Sequence, residues 1–159
     1  HRMQTSNFDP LLTSAAAEVL ESMCFISVAE HCEEPATADA KWVAAKLHFQ
    51  GPFSGDFGLC APLGTAQIIA SNFLGEDESG INPSQIVEVL CELANMICGS
   101  FLSRFESKGV YDLSPPVLDD LSPPVFDTLS AQPQARSTCQ TLQLDEGIVR
   151  VWLNLEIAS

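Results

Sequence analysis

The sequence predicts an α+β domain, an antiparallel β-sheet with three helices packed on one face. Three observations carry this. Apolar residues recur at helical spacing in three segments, residues 10–23, 64–75 and 82–109. Other segments alternate strictly, including Trp42–Gln50, Phe53–Ala61 and Gly147–Ile157. Tight turns at Gly51-Pro52 and Asp145-Glu146-Gly147 join alternating segments to their neighbours, which gives antiparallel pairing. A sheet with one apolar face has to bury that face, and the helices are the available cover.

In chain order, Asp9-Pro10 caps and starts the first helix. Leu11, Leu12, Ala15, Ala16, Val19, Leu20 and Met23 then face a core, with Glu18 and Glu21 outside. Cys24–Ala29 is β-branched and aromatic enough to predict a strand, and residues 32–40 read as a loop. In Trp42–Gln50, Val43, Ala45, Leu47 and Phe49 share one face, while Lys46, His48 and Gln50 share the other with Trp42. His48 reads as a sheet-surface residue. In the next strand Phe53, Phe57 and Leu59 point inward, and Gly55 and Gly58 suggest a bulge or close packing. Gly64-Thr65 opens a helix that Gly75 closes. An acidic linker, Glu76–Ile81, follows. Past residue 109, Asp112-Leu-Ser-Pro-Pro-Val117 recurs as Asp120-Leu-Ser-Pro-Pro-Val125. Two copies of so short a period predict a duplicated Pro-rich loop beside an edge strand, not a repeat fold. Thr138–Leu144 and Gly147–Ile157 form a closing hairpin.

With 159 residues the chain is one domain's worth. His1 and Arg2 read as a cloning remnant before a start at Met3, and residues 4–159 as the single domain. Seven basic against 21 acidic residues give a formal net charge of −14. Phosphate backbones and anionic membranes both demand a basic face, so nucleic acid and membrane are excluded as expected partners. The six cysteines are irregularly spaced with no CxxC. They read as reduced thiols in a cytoplasmic protein. A metal site from Cys24, His31 and Cys32 matches no common zinc spacing. GxSxG, Walker, GxGxxG and HExxH motifs are absent.

The chemistry concentrates on the long helix. Asn82 can cap it, Pro83 suits its first position, and Gln85 completes a capping box. Lys108-Gly109 predicts its stop. At about 100° per residue, Ile86, Leu90, Leu93, Ile97 and Phe101 line one side. Glu88, Glu92, Asn95 and Gly99 line the opposite one. Mid-helix Asn and Gly each cost up to ~1 kcal/mol against Ala, so their presence on one stripe points to a task for it.

Glu92-Leu-Ala-Asn95-Met-Ile-Cys-Gly99, with the preceding GPFSGDFGLCAPLGTAQIIASNFLGED segment, resembles the CheC/CheX/FliY family of chemotaxis phosphatases. The resemblance runs from about Phe8 to Ile157. It implies a phosphatase that removes the phosphoryl group from the aspartate of a CheY-type receiver domain. Asn95 would orient the attacking water, and Glu92 would contact the receiver's lysine. No cofactor is expected on this chain; Mg²⁺ is expected on the receiver. The first helix has Glu18 and Glu21 but no matching Asn, which resembles the single-site CheX form. CheX-like chains imply a homodimer. A weakly catalytic or non-catalytic adaptor for receivers or flagellar switch components is the alternative. Two features depart from the family pattern. Glu88 stands where the family often has Asp or Ser, and the doubled Ser-Pro-Pro blurs which proline matches the family's single one.

Overall fold

The computed structural model describes residues 8–29, 41–105, 111–114, 117–121, 135–145 and 147–156. The expectations for His1–Met3, for His31 and Cys32, for the loop at 32–40, for Lys108-Gly109, for Ser122–Val125 and for Ile157 lie outside the described residues.

Helix α1 spans Phe8–Cys24. Its apolar stripe is buried as the spacing predicts through Leu12, Ala15, Ala16, Val19 and Leu20, whereas Met23, expected on the same stripe, is exposed. The predicted strand at Cys24–Ala29 is a correction. The helix continues through Cys24, which is fully buried. Phe25 then turns the chain with φ 57°, and the Ile26 N–H donates to Leu20 O at 3.4 Å. Only Val28–Ala29 remains as strand β1. The aromatic and β-branched residues that suggest a strand are spent on burying a helix end and reversing the chain.

Strands β2 (Trp42–Gln50) and β3 (Ser54–Pro62) form the predicted hairpin, in register from Trp42↔Pro62 to Phe49↔Gly55. Helix α2 (Leu63–Leu74) follows directly. It ends at Gly75, whose backbone is left-handed at φ 69°. The N–H groups of Gly75 and Glu76 both bond to Ser71 O, closing the helix as its glycine predicts. The acidic linker contains a 3₁₀ turn, Glu78–Gly80. The Gln67 side chain ties that turn to α2 by donating to Glu78 O at 2.9 Å. Helix α3 spans Pro83–Phe105.

The duplicated segment supplies a second correction. Its described residues are not a loop beside an edge strand but the edge itself, with β4 from the first copy and β5 running from the end of the first copy into the start of the second. Strand β4 (Asp112–Leu113) pairs with Gln50 and Phe49, and β5 (Val117–Leu121) pairs with Lys46 through Trp42. Between them Ser114 clasps His48. Its Oγ accepts from the His48 N–H at 2.8 Å, and its N–H donates to His48 O at 2.8 Å. Strands β6 (Ala135–Leu144) and β7 (Gly147–Glu156) form the closing hairpin.

The sheet order is β1-β6-β7-β3-β2-β4, with β5 also on β2, and every pair is antiparallel. All three helices pack on one face. α1 lies against β6, α2 against β3, β2 and β7, and α3 over β2 and β3 while touching both other helices. Val43, Ala45, Leu47, Phe49, Phe57, Leu59, Val149, Val151, Leu153 and Leu155 are the sheet's side of that core. The opposite face is less polar than Lys46, His48 and Gln50 suggest. Trp42, Ala44, Cys60, Ile148 and Trp152 form a second buried cluster there, with the Arg150 guanidinium 5.2 Å from the Trp42 ring centre.

Candidate functional site

The site is built on α3, and α3 is fixed at its start by the predicted capping box. The Gln85 N–H donates to Asn82 Oδ1, and the Asn82 N–H donates to Gln85 Oε1, both at 2.9 Å. Gln85 also donates through Nε2 to Glu76 Oε2 at 3.0 Å, so the acidic linker is held against the same turn. Beyond the cap, Ile86, Val89, Leu90, Leu93, Ala94, Ile97, Cys98, Phe101 and Leu102 are all buried. That is most of the helix circumference. By length and hydropathy α3 could cross a membrane, but half of its most apolar window is buried inside this fold. It is a core helix, and the core accounts for its hydropathy.

What remains uncovered is a narrow strip. Glu88 and Glu92 are exposed on it, and Asn95 and Gly99 are half-buried, as the 100° spacing places them. Cys91 and Met96 flank it, half-buried. Among the described residues, neither the Glu92 nor the Asn95 side chain has a hydrogen-bond or ion-pair partner. The two are three residues apart, so they project from the same side of adjacent turns. A carboxylate and a carboxamide held this way offer acceptors only at Glu92, and both donor and acceptor at Asn95.

The acids of α1 are committed elsewhere. Glu18 pairs with Arg104 near the end of α3, and Glu21 Oε2 accepts from the Val28 N–H at 3.3 Å. They hold α1 to α3 and β1, which gives them a structural task. His48 is not a bare surface residue. Its Nδ1 lies 3.0 Å from Asp56 Oδ1, directly across the hairpin. The pair sits on the helix-free face of the sheet, away from the strip. The pairing was not legible in the sequence, because a two-residue turn at Gly51-Pro52 sets His48 opposite Gly55, whereas the observed connection spans residues 51–53 and sets it opposite Asp56.

Cys24, Cys60, Cys91, Cys98 and Cys139 are not joined in disulfides. Burial pushes Cys24 and Cys98 up to about 12, raises Cys60 further, and raises half-buried Cys91. None of these four is primed as a nucleophile. Among the described residues no three His, Cys, Asp or Glu side chains converge as a metal site.

The family described as "Chemotaxis phosphatase CheX" matches residues 43–133, more than half of the chain. No curated protein matches. Among solved structures, CheX from Vibrio vulnificus aligns with a TM-score of 0.72 at 17% identity, over 98% of this chain and 100% of that one. CheX from Desulfovibrio desulfuricans gives 0.71 at 17%, over 94% and 99%. A chain of the CheX–CheY–BeF3–Mg²⁺ complex from Borrelia burgdorferi gives 0.67 at 18%, over 94% and 98%. At these identities the structures speak for the fold. The helix order, the antiparallel sheet and the family match agree, and the chain belongs to the CheX family of chemotaxis phosphatases.

Proposed function

We propose that this chain accelerates hydrolysis of the aspartyl phosphate of a CheY-type receiver domain in chemotaxis signalling. One observation carries the reading. Glu92 and Asn95 stand on the uncovered strip of a helix that is otherwise core, with no partner of their own among the described residues. Such groups are available to an external ligand. The Borrelia burgdorferi relative, which was solved in a complex with CheY, supports a receiver as that ligand.

In this reading α3 docks across the mouth of the receiver's phosphorylation pocket. Asn95 holds a water in line with the P–O bond to the aspartate. Its carboxamide oxygen accepts one water proton while its NH₂ donates to phosphoryl oxygen. Water oxygen bonds to phosphorus, the bond to the aspartyl oxygen breaks, and that carboxylate leaves with the electron pair. The water proton ends on inorganic phosphate. Acyl phosphate is already activated, so positioning and charge neutralisation suffice without a protein nucleophile. Mg²⁺ belongs to the receiver and neutralises the phosphoryl charge there. Glu92 meets the receiver's lysine, anchoring the complex and fixing that lysine. Glu88, four residues earlier, adds a second carboxylate on the same side. Family membership makes a cytoplasmic homodimer the expected form, which sedimentation of the purified chain would check.

The test is phosphate release from a phosphorylated receiver. Asn95→Ala should bind the receiver normally and lower turnover by about 100-fold or more. Glu92→Lys should weaken the complex itself, because two cations would then face each other. Equal turnover by the parent and Asn95→Ala removes Asn95 from the mechanism. Tight binding by the parent without turnover would instead make the chain an adaptor.

A further inference from the structure

Gly99 follows Asn95 by four residues on the uncovered strip of α3. A Cβ built there meets nothing within 4 Å among the described residues. Gly58 is different, since its Cβ would fall 2.2 Å from the Trp152 ring, and so is Gly55, whose Cβ would strike Asn154 O. The Gly99 backbone is not left-handed either, as only Gly75 and Gly147 have positive φ among the described glycines. So no neighbour among the described residues and no backbone conformation calls for glycine at this position. Glycine inside a helix is nevertheless less stable there than alanine, because it gives up more chain freedom on folding. The fold loses by Gly99 and gains nothing from it, which puts the reason for it outside the fold.

The position says what kind of reason. Four residues along a helix is about 6 Å, so Gly99 stands one turn from the amide assigned to the attacking water. Asn is a short side chain. To bring its amide to a phosphoryl group inside another protein's pocket, the α3 backbone itself has to approach the pocket rim. A side chain one turn away would strike that rim first and hold the helix off. A displacement of about 1 Å at the reacting centre can cost about 100-fold in rate.

We infer that Gly99 is a positioning residue, a notch in α3 that admits the rim of the receiver's phosphorylation pocket and so lets Asn95 reach the phosphoryl group. This rests on the receiver-phosphatase reading above. It assigns α3 a direction on its partner. The Gly99 end lies over the pocket rim, and the Glu88 end lies beyond the lysine contact.

The experiment compares Gly99→Ala, Gly99→Leu and Gly64→Ala with the parent chain. Gly64 is the matched control, an exposed glycine in the first turn of α2 whose Cβ also meets nothing within 4 Å. Thermal unfolding is recorded for each, with kcat and KM on a CheY-type receiver phosphorylated by acetyl phosphate. Gly99→Ala should unfold about 2–4 °C higher than the parent yet show a lower kcat/KM. Gly99→Leu should unfold no lower than the parent and lose about 100-fold in kcat/KM, with KM raised at least about tenfold. Gly64→Ala should leave both kinetic constants as in the parent. A Gly99→Leu protein that folds and keeps the parental KM and kcat overturns the notch. If Asn95→Ala still abolishes turnover in that assay, the phosphatase reading survives the loss. A lower unfolding midpoint for Gly99→Ala also overturns the notch, by showing that the fold itself needs the glycine. No receiver turnover by the parent chain overturns both.

Discussion

Gly58 has no room for a side chain. It pairs with Trp152 across β3 and β7, and an added Cβ would sit 2.2–2.4 Å from three atoms of the indole. The indole is itself buried between Trp42, Cys60 and Ile148 in the second cluster and has little freedom to retreat. Overpacking of this kind typically costs 1–3 kcal/mol. Gly58→Ala is therefore expected to lower the unfolding midpoint by roughly 3–10 °C. Turnover of a receiver at 20 °C should be unchanged, since the indole lies on the face of the sheet away from α3. A midpoint equal to the parent's would mean that the indole moves aside without cost. Phe25 is the other residue under local constraint. It combines φ 57° with 81% exposure, so a bulky side chain stands in a backbone conformation that usually selects glycine or asparagine.

At the scale of the element, α3 depends on its first turn. Asn82 Oδ1 shares the Gln85 N–H with the Asn82 carbonyl, Gln85 Oε1 accepts from the Asn82 N–H, and Gln85 carries the tie to Glu76. Asn82→Ala removes one of the reciprocal bonds and should cost ~1 kcal/mol, read as a fall of about 2–4 °C in midpoint. Asn82→Gly should recover much of that loss, because glycine tolerates the cap backbone. Equal losses in both variants would count against the cap. This helix was also the most legible part of the sequence. Its cap, its first-position proline and its apolar period all point one way, and Glu92 and Asn95 fall on its outer side by arithmetic alone. That neither α1 nor α2 covers them was not legible, because it depends on how three helices share one sheet face. Nor was the Glu18–Arg104 pair, whose partners are brought together only by the packing of α1 on α3. The end of α1 misled for a local reason. Cys24, Phe25, Ile26 and Val28 have strand-like composition, but a helix stop used them first. The duplicated segment misled because its prolines read as loop, whereas Asp112–Leu113 and Val117–Leu121 pair with β2 as edge strands and Ser114 clasps His48.

For the whole molecule, the thiols set a pH limit. Cys24, Cys60, Cys91 and Cys98 are all raised by burial above their ordinary value of 9.0. Below pH 9 both folded and unfolded chains hold these protons, and the groups contribute no pH dependence. Above it the unfolded chain releases them while the folded chain keeps them until about pH 12 for Cys24 and Cys98. The unfolded state then binds fewer protons, so stability falls as pH rises through that window. Urea midpoints at pH 8 and pH 10.5 should show the decline, and a Cys24→Ala, Cys98→Ala double variant should show a shallower one. Equal slopes in the two proteins would assign the decline to other groups.

Enzymes commonly carry their working groups on loops over a rigid scaffold. Here the strip lies on a core helix that packs against both other helices and the sheet. Backbone openings are cheapest where burial is least and dearest in the centre. The amides beneath Glu92 and Asn95 are therefore expected to exchange slowly with solvent deuterium. Partial melting at the sheet edges would leave the geometry of the strip standing, and its loss would come only with the loss of the fold.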